Sequence, residues 1–264
     1  MQIQIRRNLG KLLAASAVLL WAANGAGCAS TGGNSGAKRL LVAGATGGTG
    51  QEAVKQAIAK GYKVRVLVRD ESKARALFGD SVEYVIGNVR EPATLAPAVK
   101  NVDYVISALG SNSRRDPENK PEAIDFRGVE ALATAAKAAR VKQLVLVSSM
   151  GVTHPDHPLN KMLDNIMTWK LRGEDALRAS GVPYTVVRPG GLRDAPGGAM
   201  AVRALQGDPM DVTGQIARAD VAAVCVNALG RADAVNKTFE VLSGPAGAAT
   251  DWTALFSSLK PDAK

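Results

Sequence analysis

The chain has 264 residues, 46% of them hydrophobic, with 33 basic and 24 acidic side chains and a formal net charge of +9. That length suits one domain with a sizeable core rather than several. The positive excess is modest and spread along the chain, so it does not imply a nucleic-acid partner.

Residues 1–27 carry Arg6, Arg7 and Lys11 and no acid, followed by an apolar run from Leu12 to Ala23 and then Gly25-Ala26-Gly27 before Cys28. A basic head, a short apolar segment and small residues describe a bacterial export signal, and the run is too short to span a membrane. "IRRNLGK" resembles a twin-arginine signal, with Leu9 and Gly10 where Phe and Leu are usual, and "GAGC" resembles a lipobox with Gly25 in place of leucine. The expectation is an exported, periplasmic or membrane-anchored bacterial lipoprotein tethered through Cys28, with ordinary signal cleavage as the alternative. Residues 28–37, rich in Gly, Ser and Thr, read as a flexible tether, and 38–264 as the folded domain. From Cys28 onward 237 residues carry a net +6. The other cysteine, Cys225, lies in the apolar run "ADVAAVCVNAL" and reads as a buried small hydrophobe, so no disulfide framework is expected.

From Lys38 the chain alternates between two periodicities. "KRLLVAGA" is a short apolar strand stopped by glycine, and "GQEAVKQAIAKG" is a helix ending at Gly61. "YKVRVLVRD" is a second strand, "ESKARALFG" a short helix and "VEYVIGN" a third strand. "EPATLAPAVKN" leads to a fourth, "VDYVISALG". A long Ala-rich helix, "PEAIDFRGVEALATAAKAARV", precedes the fifth, "KQLVLVSS". The loop "MGVTHPDHPLN" leads into a helix, "MLDNIMTWKLRGEDALRASG", and then a sixth strand, "PYTVVRPG". Strands alternating with helices, several apolar on both faces, predict an α/β fold: a doubly wound parallel sheet of Rossmann type in a single domain. The residues after 190 read as small additions to it, closing with an amphipathic helix at "TDWTALFSSLK".

"GATGGTG" sets Gly44, Gly47 and Gly50 between the first strand and the first helix. Glycine allows a tight turn and lets the backbone approach a pyrophosphate, while the helix N-terminus offers free N–H groups and a positive dipole. The spacing is G-x-x-G-x-x-G rather than G-x-G-x-x-G, but strand, loop, helix and second strand arrive in the order a dinucleotide site needs. At the end of the second strand stand Arg69 and then Asp70. An acid there would bind ribose hydroxyls and an arginine a 2′-phosphate, so Arg69, with Lys73 nearby, favours NADP over NAD.

The segments "VAGATGGTG", "LVRD", "VLVSSMGV", "PDHPLN", "WKLRGEDALRASGVPYTVVRPGGL" and "ARADVAAVCVNAL" resemble an atypical short-chain dehydrogenase/reductase of the NmrA-like, NAD(P)-binding kind, over residues 38 to 260. The resemblance implies that Gly44, Thr46, Gly47, Gly48, Thr49 and Gly50 form the phosphate loop and that Arg69 holds the 2′-phosphate. It places Asn88 and Val89 by the adenine, although Asp is commoner where Asn88 stands. Ser107, Ala108 and Gly110 would flank the ribose. Ser148, Lys170 and Pro189, Gly190 and Gly191 would surround the nicotinamide, with Lys170 and Ser148 as the catalytic candidates.

Well-studied members of this superfamily reduce carbonyls with a Tyr-x-x-x-Lys pair, in which the tyrosine hydroxyl donates the proton. Here Lys170 is preceded four residues earlier by Ile166, which cannot carry a proton. Two readings follow. In the favoured one, hydride passes from NADPH to a small-molecule substrate that needs little acid help. In the other, the fold binds NADP(H) without turnover, as a redox sensor or scaffold. Ser148 and Ser149 lack a G-x-S-x-G elbow and a spaced His/Asp partner, which disfavours a hydrolase. His154 and His157 have two-ligand spacing without an evident third, so they read as a polar loop over the cofactor rather than a metal site.

Overall fold

A computed structural model describes residues 36–263 other than Arg115. The export signal and nearly all of the tether expected above lie outside the described residues. The strands are β1 (Arg39–Ala43), β2 (Lys63–Val68), β3 (Glu83–Ile86), β4 (Tyr104–Ser107), β5 (Gln143–Val147), β6 (Tyr184–Pro189), β7 (Gly191–Arg193), β8 (Met200–Leu205), β9 (Gln215–Ala217) and β10 (Lys237–Ala246). Eight of them form one sheet in the order β3-β2-β1-β4-β5-β6-β10-β8, parallel throughout except for β8, which runs antiparallel to β10. The doubly wound Rossmann expectation holds.

The unbroken apolar runs are explained by burial on both faces. In β1, Leu40 and Val42 join the core on one side and Leu41 and Ala43 the core on the other, all fully buried. Helices α1 (Gly48–Ala59) and α7 (Arg218–Ala228) cover the first face. Helices α3 (Leu95–Val99), α4 (Val129–Ala138) and α6 (Ile166–Ala179) cover the second. Cys225 sits at the centre of α7, fully buried, and burial pushes its thiol up to about 12. The short helices α2 (Glu71–Phe78), α5 (Pro158–Met162) and α8 (Trp252–Ser258) complete the fold.

Three elements differ from expectation. The Ala-rich helix opens with a π segment over Glu122–Gly128 before α4 begins. α6 packs closely against it, and only glycine fits at 173, where a side chain would collide with the Asp125 carbonyl oxygen. The helix expected over 162–181 is broken: Asp164 and Asn165 have φ of 50° and 58°, a conformation that short polar side chains tolerate. The chain restarts at Ile166 because the Asn160 Oδ1 accepts the Met167 and Thr168 N–H groups at 2.9 and 3.2 Å, capping α6 from the preceding helix. Lastly, the residues after 190 are more than small additions. They supply β8 and β10 to the main sheet, and β7 and β9 pair in parallel at the carboxyl end of β6. That pair holds the "RPGG" bend in place, with the Gly191 N–H donating to Gly214 at 2.9 Å.

Candidate active site

The parallel strands end on a crevice, as strand order requires at the point where the winding reverses. It consists of two cavities, of about 550 and 1000 Å³, which share Ala108, Leu109 and Gly110 at the end of β4. Ala108 and Gly110 therefore face the crevice, whereas Ser107, expected there too, is fully buried and its hydroxyl has no partner among the described residues.

In the smaller cavity, Gly44, Thr46 and Gly47 form the wall nearest α1. Gly44 has φ +78°, and a Cβ there would collide with the Ala108 carbonyl, so only glycine lets the loop lie across the end of β4. Gly47 caps α1 without a side-chain hydrogen bond, and the first turn contains no acid. The positive end of the helix thus carries no side-chain cap of its own, a cradle that fits the phosphates of a dinucleotide. Thr49 lines the larger cavity. Gly48 and Gly50 line neither: Gly50 packs against the Gly44 carbonyl, and Gly48 lies under the side chain of Arg218.

Arg69 and Lys73 line the smaller cavity from the end of β2. Arg69 is half-exposed and its Nη1 lies 2.8 Å from Asp116 Oδ2; the guanidinium holds the Asp116 carboxyl below the usual carboxylate range. Asp70 is occupied in capping α2, where it accepts the Lys73 N–H at 3.2 Å. Asn88 also lines this cavity, but its side chain is taken up locally, accepting from the Arg90 N–H and donating to Glu91, both at 3.1 Å. Val89 is buried beside it.

The larger cavity brings together Ser148, Ile166, Lys170, Pro189, Gly190 and Gly191. Lys170 Nζ donates to Asp125 Oδ1 at 2.6 Å, and Asp125 Oδ2 accepts the Ser111 N–H at 3.2 Å. The lysine is therefore an ammonium paired with a buried carboxylate, suited to holding hydroxyls or developing negative charge and not to removing a proton. The Ser148 hydroxyl donates at 2.6 Å to Glu174 Oε1, which leaves its lone pairs to accept from a ligand. Glu174 is fully buried and also receives Arg188 through Nε and Nη2 at 2.9 and 2.6 Å, and Arg178 at 2.8 Å.

The "HPDH" loop lines the larger cavity. His154 Nε2 lies 2.7 Å from the Asp208 carbonyl, and His157 Nδ1 accepts the Leu159 N–H at 3.2 Å. Asp208, almost fully buried, accepts the Gly151 and Thr153 N–H groups at 2.5 and 2.9 Å and the Thr153 hydroxyl at 2.8 Å. Burial alone would raise its carboxyl, yet these bonds hold it below the usual range. Asp125, Glu174, Asp208 and Arg218 are the site residues that motif reading missed. For Glu174 a signal existed: Lys170, Glu174 and Arg178 step by four along α6, which puts them on one helical face.

A domain family described as NAD(P)H-binding matches residues 44–232. The chain belongs to this family. It is an atypical, NmrA-like short-chain dehydrogenase/reductase, and its class is that of the NAD(P)-dependent oxidoreductases. An uncharacterized chloroplast protein of Arabidopsis thaliana is 37% identical to this oxidoreductase over 244 residues, spanning 83% of this chain and 75% of the relative. Sanguinarine reductase of Eschscholzia californica is 35% identical over 261 residues, spanning 83% and 95%. Among solved structures, a Bacillus halodurans protein assigned as an NAD-dependent epimerase/dehydratase superposes with a TM-score of 0.72 at 26% identity, covering 84% of this chain and 97% of that one. The relatives correct one expectation. Those with a stated compartment are plant chloroplast proteins, which overturns the placement as an exported or lipid-anchored bacterial protein.

Proposed function

We propose that the chain uses NADPH to reduce a conjugated small-molecule acceptor, a quinone, a flavin or an activated carbonyl, without a tyrosine acid. The observation that carries this reading is Ile166 in the wall of the larger cavity, one helical turn before Lys170. When bound, the nicotinamide supplies the hydride. A conjugated acceptor spreads the resulting negative charge over its rings, so water can deliver the proton and no side chain must. Lys170 then steadies that charge and the ribose, while Asp125 keeps it in place. Val147, Leu163, Ile166, Leu192 and Val212 give the cavity apolar walls suited to a flat ring system. The relative named sanguinarine reductase supports a reductase reading.

The test is loss of NADPH absorbance against a panel of quinones, flavins and simple carbonyls. Turnover on the conjugated acceptors is expected. Tight NADPH binding with no turnover on any of them would replace this reading with a sensor or scaffold.

The choice of NADPH rests on Arg69, which faces the smaller cavity and can exchange Asp116 for a 2′-phosphate. Hydrogen bonds to charged groups contribute about 1.5–3 kcal/mol, so Arg69→Ala should weaken NADPH roughly 10- to 100-fold. NADH binding should change little. Equal losses for the two nucleotides in a calorimetric titration would remove Arg69 from the assignment.

A further inference from the structure

We propose that Arg218 clamps the pyrophosphate of the bound dinucleotide, and that Asp194 is an internal carboxylate competing with that pyrophosphate for it. This deepens the reading above and rests on its nucleotide.

Arg218 is the first residue of α7, directly after β9, and lines the larger cavity. Its side chain runs across the start of α1. A Cβ built on Gly48 would lie 2.7 Å from Arg218 Cδ, closer than a Cβ approaches without displacing its neighbour, and a tight 3.1 Å from Nε. Gly48 therefore has a role the glycine pattern alone did not reveal: it makes room for an arginine above the phosphate loop. The arginine is also held at a fixed distance from that loop, because Gln56 of α1 donates to the Ala219 carbonyl at 2.8 Å and so ties the start of α7 to α1.

Among the described residues one of the five guanidinium donors is used: Nη1 lies 2.9 Å from Asp194 Oδ1. Asp194 is 88% exposed and makes no other side-chain hydrogen bond among the described residues. Its Oδ1 lies 3.8 Å from where a Cβ on Gly48 would be, so this carboxylate stands at the mouth of the uncapped helix. An exposed ion pair of this kind is weak and easily exchanged. A pyrophosphate offers the same guanidinium more charge, a bidentate geometry and the free N–H groups of α1, so it should displace Asp194.

The two residues therefore predict opposite effects, read by calorimetric titration of the full chain with ADP, 2′-AMP, NADPH and NADH. ADP carries the pyrophosphate without the 2′-phosphate, and 2′-AMP the reverse. Arg218→Gln should weaken ADP, NADPH and NADH alike, by about tenfold or more, and leave 2′-AMP unchanged. Arg218→Lys, which keeps the charge but not the fork, should lose less and guards against a folding defect. Asp194→Asn should tighten ADP and both dinucleotides by a few-fold. Arg69→Ala should do the converse of Arg218→Gln, weakening 2′-AMP and sparing ADP. Unchanged ADP binding in Arg218→Gln would overturn the clamp. Weaker ADP binding in Asp194→Asn would show that the pair merely staples the loop, and would also overturn it. Neither result bears on the acceptor panel, whose failure would instead remove the reductase reading.

Discussion

Arg188→Leu is expected to lower the unfolding free energy by about 3–5 kcal/mol, the cost of leaving buried charge uncompensated when one partner is removed. For a domain of this size that is a fall in Tm of roughly 6–20 °C. Arg188 in β6 is 5% exposed and reaches three carboxylates from three different segments. Glu174 of α6 takes two of its hydrogen bonds, Glu240 of β10 lies at 3.2 Å, and Asp208 of the following loop at 4.0 Å. After its loss, Glu174 keeps Arg178 and Ser148, and Asp208 keeps its backbone donors. Glu240 keeps only the Asp208 backbone N–H and no cation among the described residues, and its Oε2 lacks a partner there. Arg188→Leu combined with Glu240→Gln should therefore recover a measurable part of the loss. A thermal melt showing less than about 1 kcal/mol for the single variant would mean the cluster is solvated, and this account would fail.

The same cluster sets a pH dependence. Burial raises the Glu240 carboxyl above its ordinary 4.5, against the opposing pull of Arg188. The folded state then binds this proton more tightly than the unfolded state, so ionising Glu240 costs stability. The cost is absent below 4.5, grows as pH rises through the raised value, and is complete above it. Glu240→Gln removes it. The variant should therefore gain stability relative to the wild type at neutral pH and lose that gain in melts well below pH 4.5. A gain that is the same at both would show that Glu240 does not titrate in this way.

What could be read in advance was local. β1, the glycine loop and α1 were legible because period-2 burial, a positive-φ glycine and an uncapped helix start all lie within about twenty consecutive residues. The Ile166–Lys170 relation was legible for the same reason, being one helical turn. The rest depends on pairs distant in sequence. Asp125 meets Lys170 across 45 residues, and Asp208 meets Gly151 across 57. Charged side chains read as solvated faces until the fold buries them against each other. The close packing at Asp125 depends on Gly173 in another helix, and the break at Asp164 and Asn165 on Asn160 reaching forward. Ser107 and Ser148 show how fine the margin is at strand ends. Both are expected at the crevice; Ser148 lines it while giving its proton to Glu174, but Ser107 points into the core.

Lys170→Met should reduce NADPH-dependent turnover by about 10²–10³-fold, the typical effect of deleting one preorganised donor at a site of developing charge. The variant also leaves Asp125 buried with only the Ser111 N–H as partner, so a fall in stability is expected alongside. The two effects can be separated. In Lys170→Met combined with Asp125→Leu the carboxylate stranded between α6 and the π segment is gone, so the melting temperature should recover while turnover stays low. Asp125→Asn gives the reverse separation. Its amide oxygen can still accept from Lys170, while its NH2 replaces the acceptor of the Ser111 N–H, so a smaller fall in stability than in Lys170→Met is expected. The ammonium is then no longer balanced by a carboxylate, and it sits where the acceptor's charge develops. If Lys170 acts on that charge, the variant should keep most of its turnover. If Lys170 only fills space between α6 and the π segment, turnover in the Lys170→Met/Asp125→Leu variant would return with its stability. That recovery would sink the electrostatic role, because the apolar pair restores the packing and nothing else.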